Sequence, residues 1–276
     1  MTGTHGASGS HAPDTRSRRR LWAFWKPGRR DRHRPARAPR LLTAACTLFL
    51  SVTLSAGTKE QPEAPPALAR HLRLAGSQLD LRGVPLGERD LATLDHPVFR
   101  GVTSALLARS GVSDAGVAYL RLLPLEELDL YRTPITDEAL AHLGALPLKR
   151  LTLSGTAITG AGLAHLRDTP LETLLLRDTR VTDAALVHLR GVPLRQLDLS
   201  YTAVTDEGVR SLSGASHLEL LDLSTTAITD GALPLLRELT SLRWLTLFAT
   251  KVTAEGVAAL RRVRPELGVL LEAPTR

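Results

Sequence analysis

Residues 125–143 read LEELDLYRTPITDEALAHL, and residues 148–166 repeat the same pattern as LKRLTLSGTAITGAGLAHL. Four more copies follow at 171–189, 194–212, 218–236 and 242–260, so the period is 23 or 24 residues. A weaker copy occupies 102–120, and a more degenerate one surrounds Leu79, Leu81, Leu86, Leu91 and Leu94. A fixed period of this length is typical of solenoids, in which stacked copies share one core.

Each copy combines the periods of a strand and of a helix. Leu128, Asp129 and Leu130 alternate between apolar and polar side chains, which predicts a short strand. Leu140 and Leu143 are spaced for a short helix, and Thr136 is placed to cap its first turn. One strand and one short helix cannot bury their own leucines, so neighbouring copies must stack.

Two further columns of residues mark the same register. Prolines stand before the first leucine of four successive copies and are expected to end each helix; they are Pro124, Pro147, Pro170 and Pro193. Hydroxyl residues follow each strand and are expected to pair buried backbone groups between coils; they are Ser110, Thr133, Thr156, Thr179, Thr202, Thr226 and Thr250.

The pattern L-x-x-L-x-L-x-x-T-x-[IV]-T resembles the leucine-rich repeat family over roughly residues 76–264. The resemblance implies an α/β solenoid of horseshoe shape, with a parallel sheet on the concave side and short helices on the convex side. Many family members carry asparagine or cysteine in the hydroxyl column. Because Cys46 is the only cysteine, we interpret the repeats as a cysteine-free, bacterial version.

Composition divides the chain into four parts. Residues 1–40 are predicted to be a basic, disordered tail, and 58–69 a proline-containing linker. Residues 70–276 are predicted to form the leucine-rich-repeat domain of about eight coils, the first ones degenerate. Between tail and linker, residues 41–57 are predicted to form a hydrophobic signal peptide or signal anchor. The uncharged segment Leu41–Ala56 is a candidate membrane tether.

The basic flank predicts export of the repeats, either secreted or anchored to the inner membrane in a bacterial periplasm. A cytoplasmic location is the alternative. Residues 1–40 carry a net charge of +9, whereas the whole chain carries +7. Residues 41–276 therefore carry a net charge of −2. The repeat domain therefore has no basic stripe, and we expect no nucleic acid to bind there.

Catalytic and metal-binding residues are not apparent in the repeats. His142, His165 and His188 recur at the repeat period, and we interpret them as copies of a partly exposed helix position rather than metal ligands. No nucleophile–base pair or cofactor motif is recognisable, so we expect no enzyme activity, no cofactor and no metal.

The outward-facing strand residues vary between copies, unlike the core columns. Trp244 and Phe248 lie on one predicted strand face, beside Leu220 and near Tyr201, in a chain with only ten aromatic residues. Exposed aromatic residues are frequent anchors of protein interfaces. The predicted partner-binding residues are Trp244, Phe248, Leu220, Tyr201, Tyr131 and Arg177. Alternatively, Trp244 and Phe248 only shelter the edge of the last coil.

Acidic residues also occur on this face, at Asp129, Asp198 and Asp222, interrupted by arginines. We interpret them as a solvated surface rather than a cation site. The sequence therefore predicts a monomeric, non-catalytic module that binds an unidentified protein on its concave face. A structural envelope scaffold without a specific ligand and a cytoplasmic adaptor in a larger assembly are the alternatives.

Overall fold

The computed structural model describes residues 74–271, and the predictions for 1–40, 41–57 and 58–69 lie outside these residues. Ten strands form one open sheet in sequence order. A short antiparallel pair begins it, and all later neighbours pair in parallel. The strands are β1 (Leu74–Ala75), β2 (Gln78–Asp80), β3 (Ser104–Leu106), β4 (Glu127–Asp129), β5 (Arg150–Thr152), β6 (Thr173–Leu175), β7 (Gln196–Asp198), β8 (Leu220–Asp222), β9 (Trp244–Thr246) and β10 (Gly268–Leu270).

Each strand from β2 to β9 is followed by a short helical segment. The α-helices are α1 (Glu88–Leu91), α2 (Asp114–Val117), α3 (Asp137–Leu140), α4 (Asp183–Leu186), α5 (Asp206–Ser211), α6 (Leu233–Glu238) and α7 (Ala254–Val263). Segments of 3₁₀ helix are Ala92–Asp95, Pro97–Phe99, Ala118–Leu122, Ala161–Leu166, Val187–Leu189 and Asp230–Ala232. Single turns fit the 23-residue period, because little chain remains after the strand and its turn.

The repeated leucines form one continuous core, as the sequence predicted. Leu128, Leu151, Leu174, Leu197 and Leu245 occupy equivalent positions and are at most 2% exposed. They are paired in register along the sheet. Parallel strands backed by short helices confirm the predicted solenoid. We call the outward-facing side of this sheet the strand face.

The hydroxyl column pairs within a coil, which corrects the prediction that it links coils. The Thr133 Oγ1 atom donates to the Leu130 carbonyl oxygen at 2.8 Å, three residues earlier in the same turn. Thr156, Thr179 and Thr202 repeat this bond at 2.5 to 2.6 Å. The short side chain reaches its own turn before it can reach the next coil. Ser110, the serine in this column, has a buried Oγ atom without a partner among the described residues.

Coils are instead joined on the helical side by an aspartate that begins one helix and a threonine that caps the next. Asp114 accepts from the Thr136 N–H and from its hydroxyl, both at 2.7 Å. Thr136 also caps its own helix by accepting from the Glu138 N–H, as predicted. Four more coil junctions carry the same bonds, with acceptors Asp137, Asp183, Asp206 and Asp230. We call this set the aspartate–threonine ladder.

Within residues 74–271, no helix is long and apolar enough to span a bilayer.

Candidate protein-binding surface

The strand face consists of three rows of side chains that the parallel register aligns. One row runs Ser104, Glu127, Arg150, Thr173, Gln196, Leu220 and Trp244. The second row runs Leu106, Asp129, Thr152, Leu175, Asp198, Asp222 and Thr246. The third follows the strands by two residues and contains Tyr131, Arg177 and Phe248. The alternation inferred from the sequence is thus present, because strand side chains point to opposite faces in turn.

The predicted anchor residues differ in their solvent exposure. Tyr201 and Phe248 are 43% and 37% exposed, whereas Leu220 and Trp244 are half-buried. Tyr201 follows β7 and Phe248 follows β9, so one strand separates the two. The sheet brings Leu220 and Trp244 side by side across β8 and β9. Tyr201, Leu220 and Phe248 therefore share one end of the strand face.

Trp244 is engaged within the solenoid as well as placed on its surface. Its indole ring packs directly on Gly268 of β10, where a Cβ atom would overlap ring carbons Cε3 and Cζ3. This contact is the one expected if Trp244 shelters the last coil, and only glycine leaves room for it. Trp244 accordingly contributes to the stability of the terminal strand, while Phe248 and Tyr201 carry the larger exposed surface.

The remaining two predicted residues, Tyr131 and Arg177, each take part in a cation–π contact. The Arg177 guanidinium lies 4.1 Å from the centre of the Tyr201 ring and donates to the Ser200 hydroxyl at 3.0 Å. Tyr131 receives two guanidinium groups, from Arg109 at 5.6 Å and from Arg132 at 5.3 Å. The sequence did not reveal the role of Arg109, since only stacking of coils brings it to Tyr131, 22 residues later. Arg132 directly follows Tyr131 in the chain.

A left-handed backbone position places several of these side chains. Arg109, Arg132, Asp178 and Tyr201 have φ between 53° and 59°, at equivalent turns after their strands. Each donates its N–H to the carbonyl of the next coil, as from Arg109 to Tyr131 at 2.7 Å. Positive φ strains non-glycine residues, so this inter-coil bond must offset the strain. The same backbone turn therefore recurs after each of these strands.

The acidic residues correct the expectation of a solvated surface. Asp198 and Asp222 pair in register across β7 and β8, and each is only 5% exposed. Each carboxylate folds back to accept the N–H two residues later, from Ser200 and from Ser224, both at 2.8 Å. The sequence correctly predicted the side of the sheet on which these side chains lie, but not their burial. A side chain that bends over its own turn is removed from solvent.

Burial of these carboxylates changes their protonation. Burial, followed by the neighbouring charge of Asp222, raises the pKa of Asp198 to about 7. Burial also raises the pKa of Asp222 and of Asp129 above the usual aspartate value. Hydrogen bonds from the serine turns and the Arg177 charge oppose the increase at Asp198 and Asp222. The centre of the strand face therefore changes its charge near neutral pH.

An alternating row of charges was missed by the sequence interpretation. The positions directly before the strands hold Glu126, Lys149, Glu172, Arg195, Glu219 and Arg243. Neighbours form exposed ion pairs, at 2.8 Å for Lys149 with Glu126 and at 2.7 Å for Arg195 with Glu219. Alternating signs at the repeat spacing are the signal that would have found it. Exposed ion pairs each contribute about 0–1 kcal/mol, so this row adds little to the stability of the solenoid.

The histidine column offers no metal site within residues 74–271, where no group of three or more potential ligands converges. His142 and His188 are half-buried, and His165 is exposed. The His188 Nδ1 atom is buried and has no hydrogen-bond partner among the described residues.

One of the regular copies matches a known protein family. The family described as "Leucine Rich repeat" matches residues 193–213. Among solved structures, the chain is similar to internalin C2 from Listeria monocytogenes str. 4b F2365. The two share 25% sequence identity with a TM-score of 0.49, covering 69% of this chain and 78% of that chain. No curated protein matches the sequence significantly.

The matched residues 193–213 cover one of the six regular copies, including β7 and α5. The other five copies share its leucines, its threonine turn and its pairing into the sheet. The described part of this chain is a leucine-rich-repeat solenoid.

Proposed function

We propose that this solenoid is a non-catalytic module that binds a protein partner on its strand face, at the end formed by Tyr201, Leu220 and Phe248. Solenoids present extended concave surfaces, and the leucine-rich-repeat fold indicates a protein-interaction module. The site of contact is our inference. It includes Trp244, Tyr131 and Arg177 at its margins.

The exposure of Phe248 and Tyr201 is the observation that carries the proposal. Core leucines along the same coils are nearly inaccessible, whereas these two aromatic side chains remain 37% and 43% exposed on one face. Burial of aromatic surface supplies much of the energy at interface hot spots. The large, half-buried Leu220 in the strand between them extends the apolar area.

We test this with the full-length chain carrying Tyr201→Ala and Phe248→Ala as bait for partner capture. Both side chains are already partly solvated, so we expect capture to fall at least several-fold while the melting temperature changes little. Trp244 is left intact because its removal would uncover Gly268 and confuse loss of binding with loss of folding.

The chain offers a matched control on its helical side. Leu122 and Val187 are apolar and 45% and 38% exposed, nearly the same as Tyr201 and Phe248. A Leu122→Ala, Val187→Ala double variant should capture the partner normally. Equal capture by both double variants, or loss of capture only together with loss of folding, would remove the site assignment and favour a scaffold without a ligand.

We also propose that the repeats act outside the cytoplasm, secreted or held by the segment Leu41–Ala56. The support is the order of the sequence, in which a tail of charge +9 precedes an uncharged apolar segment. Cell fractionation tests it directly. Recovery of full-length, uncleaved protein in the soluble cytoplasm would instead support the cytoplasmic adaptor.

A further inference from the structure

Arg109 and Arg132 approach the same aromatic ring from neighbouring coils. Their guanidinium carbons lie 5.6 Å and 5.3 Å from the centre of the Tyr131 ring. Both arginines are exposed, and Tyr131 is half-buried. We call these three residues the arginine clamp.

The backbone holds the clamp in place. The Arg109 N–H donates to the Tyr131 carbonyl at 2.7 Å, and the Arg132 N–H donates to the Ser154 carbonyl at 2.9 Å. Gly155 gives Arg132 room, since a Cβ atom there would lie 2.7 Å from the Arg132 Cγ atom. The backbone of both arginines is therefore held in place, and the Arg132 stem packs over Gly155.

The two positive charges are not matched by a nearby free carboxylate. Neither guanidinium forms an ion pair with another residue of the described part of the chain. On the same coil, Glu126 and Glu127 pair with Lys149 and Arg150. The Asp129 carboxylate accepts from the Tyr131 N–H at 2.9 Å and is half-buried. Arg82, one coil before Arg109, already pairs with Asp80 at 2.7 Å.

Stacking on a ring leaves the in-plane N–H groups of a guanidinium available. These groups match the geometry of a carboxylate, which accepts two parallel bonds from one arginine. Because stacking has already limited the rotamers, less entropy is lost when such an anion binds. The arrangement therefore suits a carboxylate that binds the free N–H groups of either guanidinium while the second positive charge lies on the same ring.

We propose that the arginine clamp binds a carboxylate side chain of an acidic segment in the protein partner. This inference rests on the proposed function and adds the chemistry of the partner to it. Charge complementarity selects an acidic partner, since the clamp presents two fixed cations at the edge of the strand face. The clamp is one local pair rather than a stripe, which distinguishes it from surfaces that follow a phosphate backbone.

The test uses the full-length chain and a short photocrosslinking peptide of alternating glutamate and glycine. Binding is followed by titration, and crosslinked positions are mapped by mass spectrometry at physiological ionic strength. Mapping is needed because the basic residues 1–40 also attract acidic peptides. We expect crosslinks around 104–132, and we expect an Arg109→Gln, Arg132→Gln variant to weaken this binding by on the order of tenfold.

Two controls separate a built site from general attraction. Arg167→Gln with Arg210→Gln removes the same charge from exposed positions on the helical side and should leave the mapped binding unchanged. Tyr131→Phe should preserve binding, whereas Tyr131→Leu should weaken it several-fold without any change of charge, because the stacking is lost.

The proposal is overturned if crosslinks fall only within residues 1–40, or if the helical-side variant weakens binding as much as the clamp variant. Equal or tighter capture of a single-stranded oligonucleotide at the clamp would also overturn it, in favour of a phosphate ligand. These outcomes are independent of the Tyr201 and Phe248 experiment. If the Tyr201 and Phe248 variant lost partner capture but no crosslinks mapped to the clamp, the proposed function would be supported and the clamp proposal rejected.

Discussion

The buried carboxyl group of Asp198 makes the stability of the solenoid depend on pH. Burial and the charge of Asp222 raise its pKa to about 7, whereas an aspartate in an unfolded chain titrates near ~3.9. Between these values the folded state binds more protons than the unfolded state. The contribution of Asp198 to stability is therefore fully present below about pH 4 and is lost as the pH rises to about 7.

We predict that Asp198→Asn stabilises the protein at about pH 8 and has little effect at about pH 4. The amide cannot ionise, and its oxygen can still accept the Ser200 N–H. One pKa unit corresponds to about 1.4 kcal/mol, so we expect a gain on the order of 1–3 kcal/mol at the higher pH. Urea unfolding of both proteins across this range measures the difference.

Asp178→Asn provides the control for a simple change in net charge, because Asp178 is exposed one coil earlier. We expect it to change the free energy of unfolding by less than about 0.5 kcal/mol. A gain for Asp198→Asn that is the same at both pH values would show that the buried carboxyl does not titrate as stated.

Among the structural elements, the helical turns depend on the aspartate–threonine ladder more than on their own length. Turns of four residues are far too short to be stable alone. Asp137 receives bonds from Thr159, Gly160 and Gly162 of the next coil. Burial alone would raise the pKa of Asp137, but these hydrogen bonds outweigh it and lower the pKa.

Between Asp114 and Thr253 the ladder is interrupted once, where Gly160 takes the place of the aspartate. Thr182 in the following coil has no side-chain capping bond, and the segment after Gly160 is a 3₁₀ helix, Ala161–Leu166. Gly160 has φ of 104°, and a Cβ atom there would overlap the Ala185 side chain. An aspartate could not simply be restored at this position, because both the backbone and the neighbouring coil require glycine.

We predict that Asp137→Ala lowers the free energy of unfolding by about 1–3 kcal/mol, since several donors lose a charged acceptor. Glu138→Ala is the matched control, because Glu138 also lies in the first turn of α3 but is exposed. Its loss should change stability by less than about 0.5 kcal/mol. Equal effects in thermal or urea unfolding would mean that both acids act only through the helix dipole.

Across the whole molecule, stability spreads through contacts between adjacent coils. Leu174 lies in β6 in the middle of the sheet and is inaccessible to solvent. We predict that Leu174→Asp abolishes hydrogen-exchange protection in its own coil and in the coils on both sides, because it buries an unpaired charge in their shared core. Exchange measured by mass spectrometry resolves this coil by coil.

Leu220→Asp makes the same chemical change at an outward-facing position of β8 and should retain protection across the solenoid. If Leu174→Asp affected only its own coil, the coils would be folding independently and the continuous core would contribute little to cooperativity.

The sequence alone determined the solenoid, its register and the direction of the strand-face rows. These properties follow from local periods that repeat: leucines spaced for a strand and then a helix, and prolines that separate the copies. The capping role of Thr136 was equally local, since a cap needs only its own helix. A property that is copied in every repeat can be recognised from the copies themselves.

Only the tertiary structure decided what lies next to what across coils and how deep each side chain sits. The aspartate–threonine ladder, the contact of Arg109 with Tyr131 and the packing of Trp244 on Gly268 join residues 22 to 24 apart. The burial of Asp198 depends on a carboxylate bending over its own turn. Periodicity fixes the direction of a side chain, but its partners and its exposure depend on the distances that stacking of the coils creates.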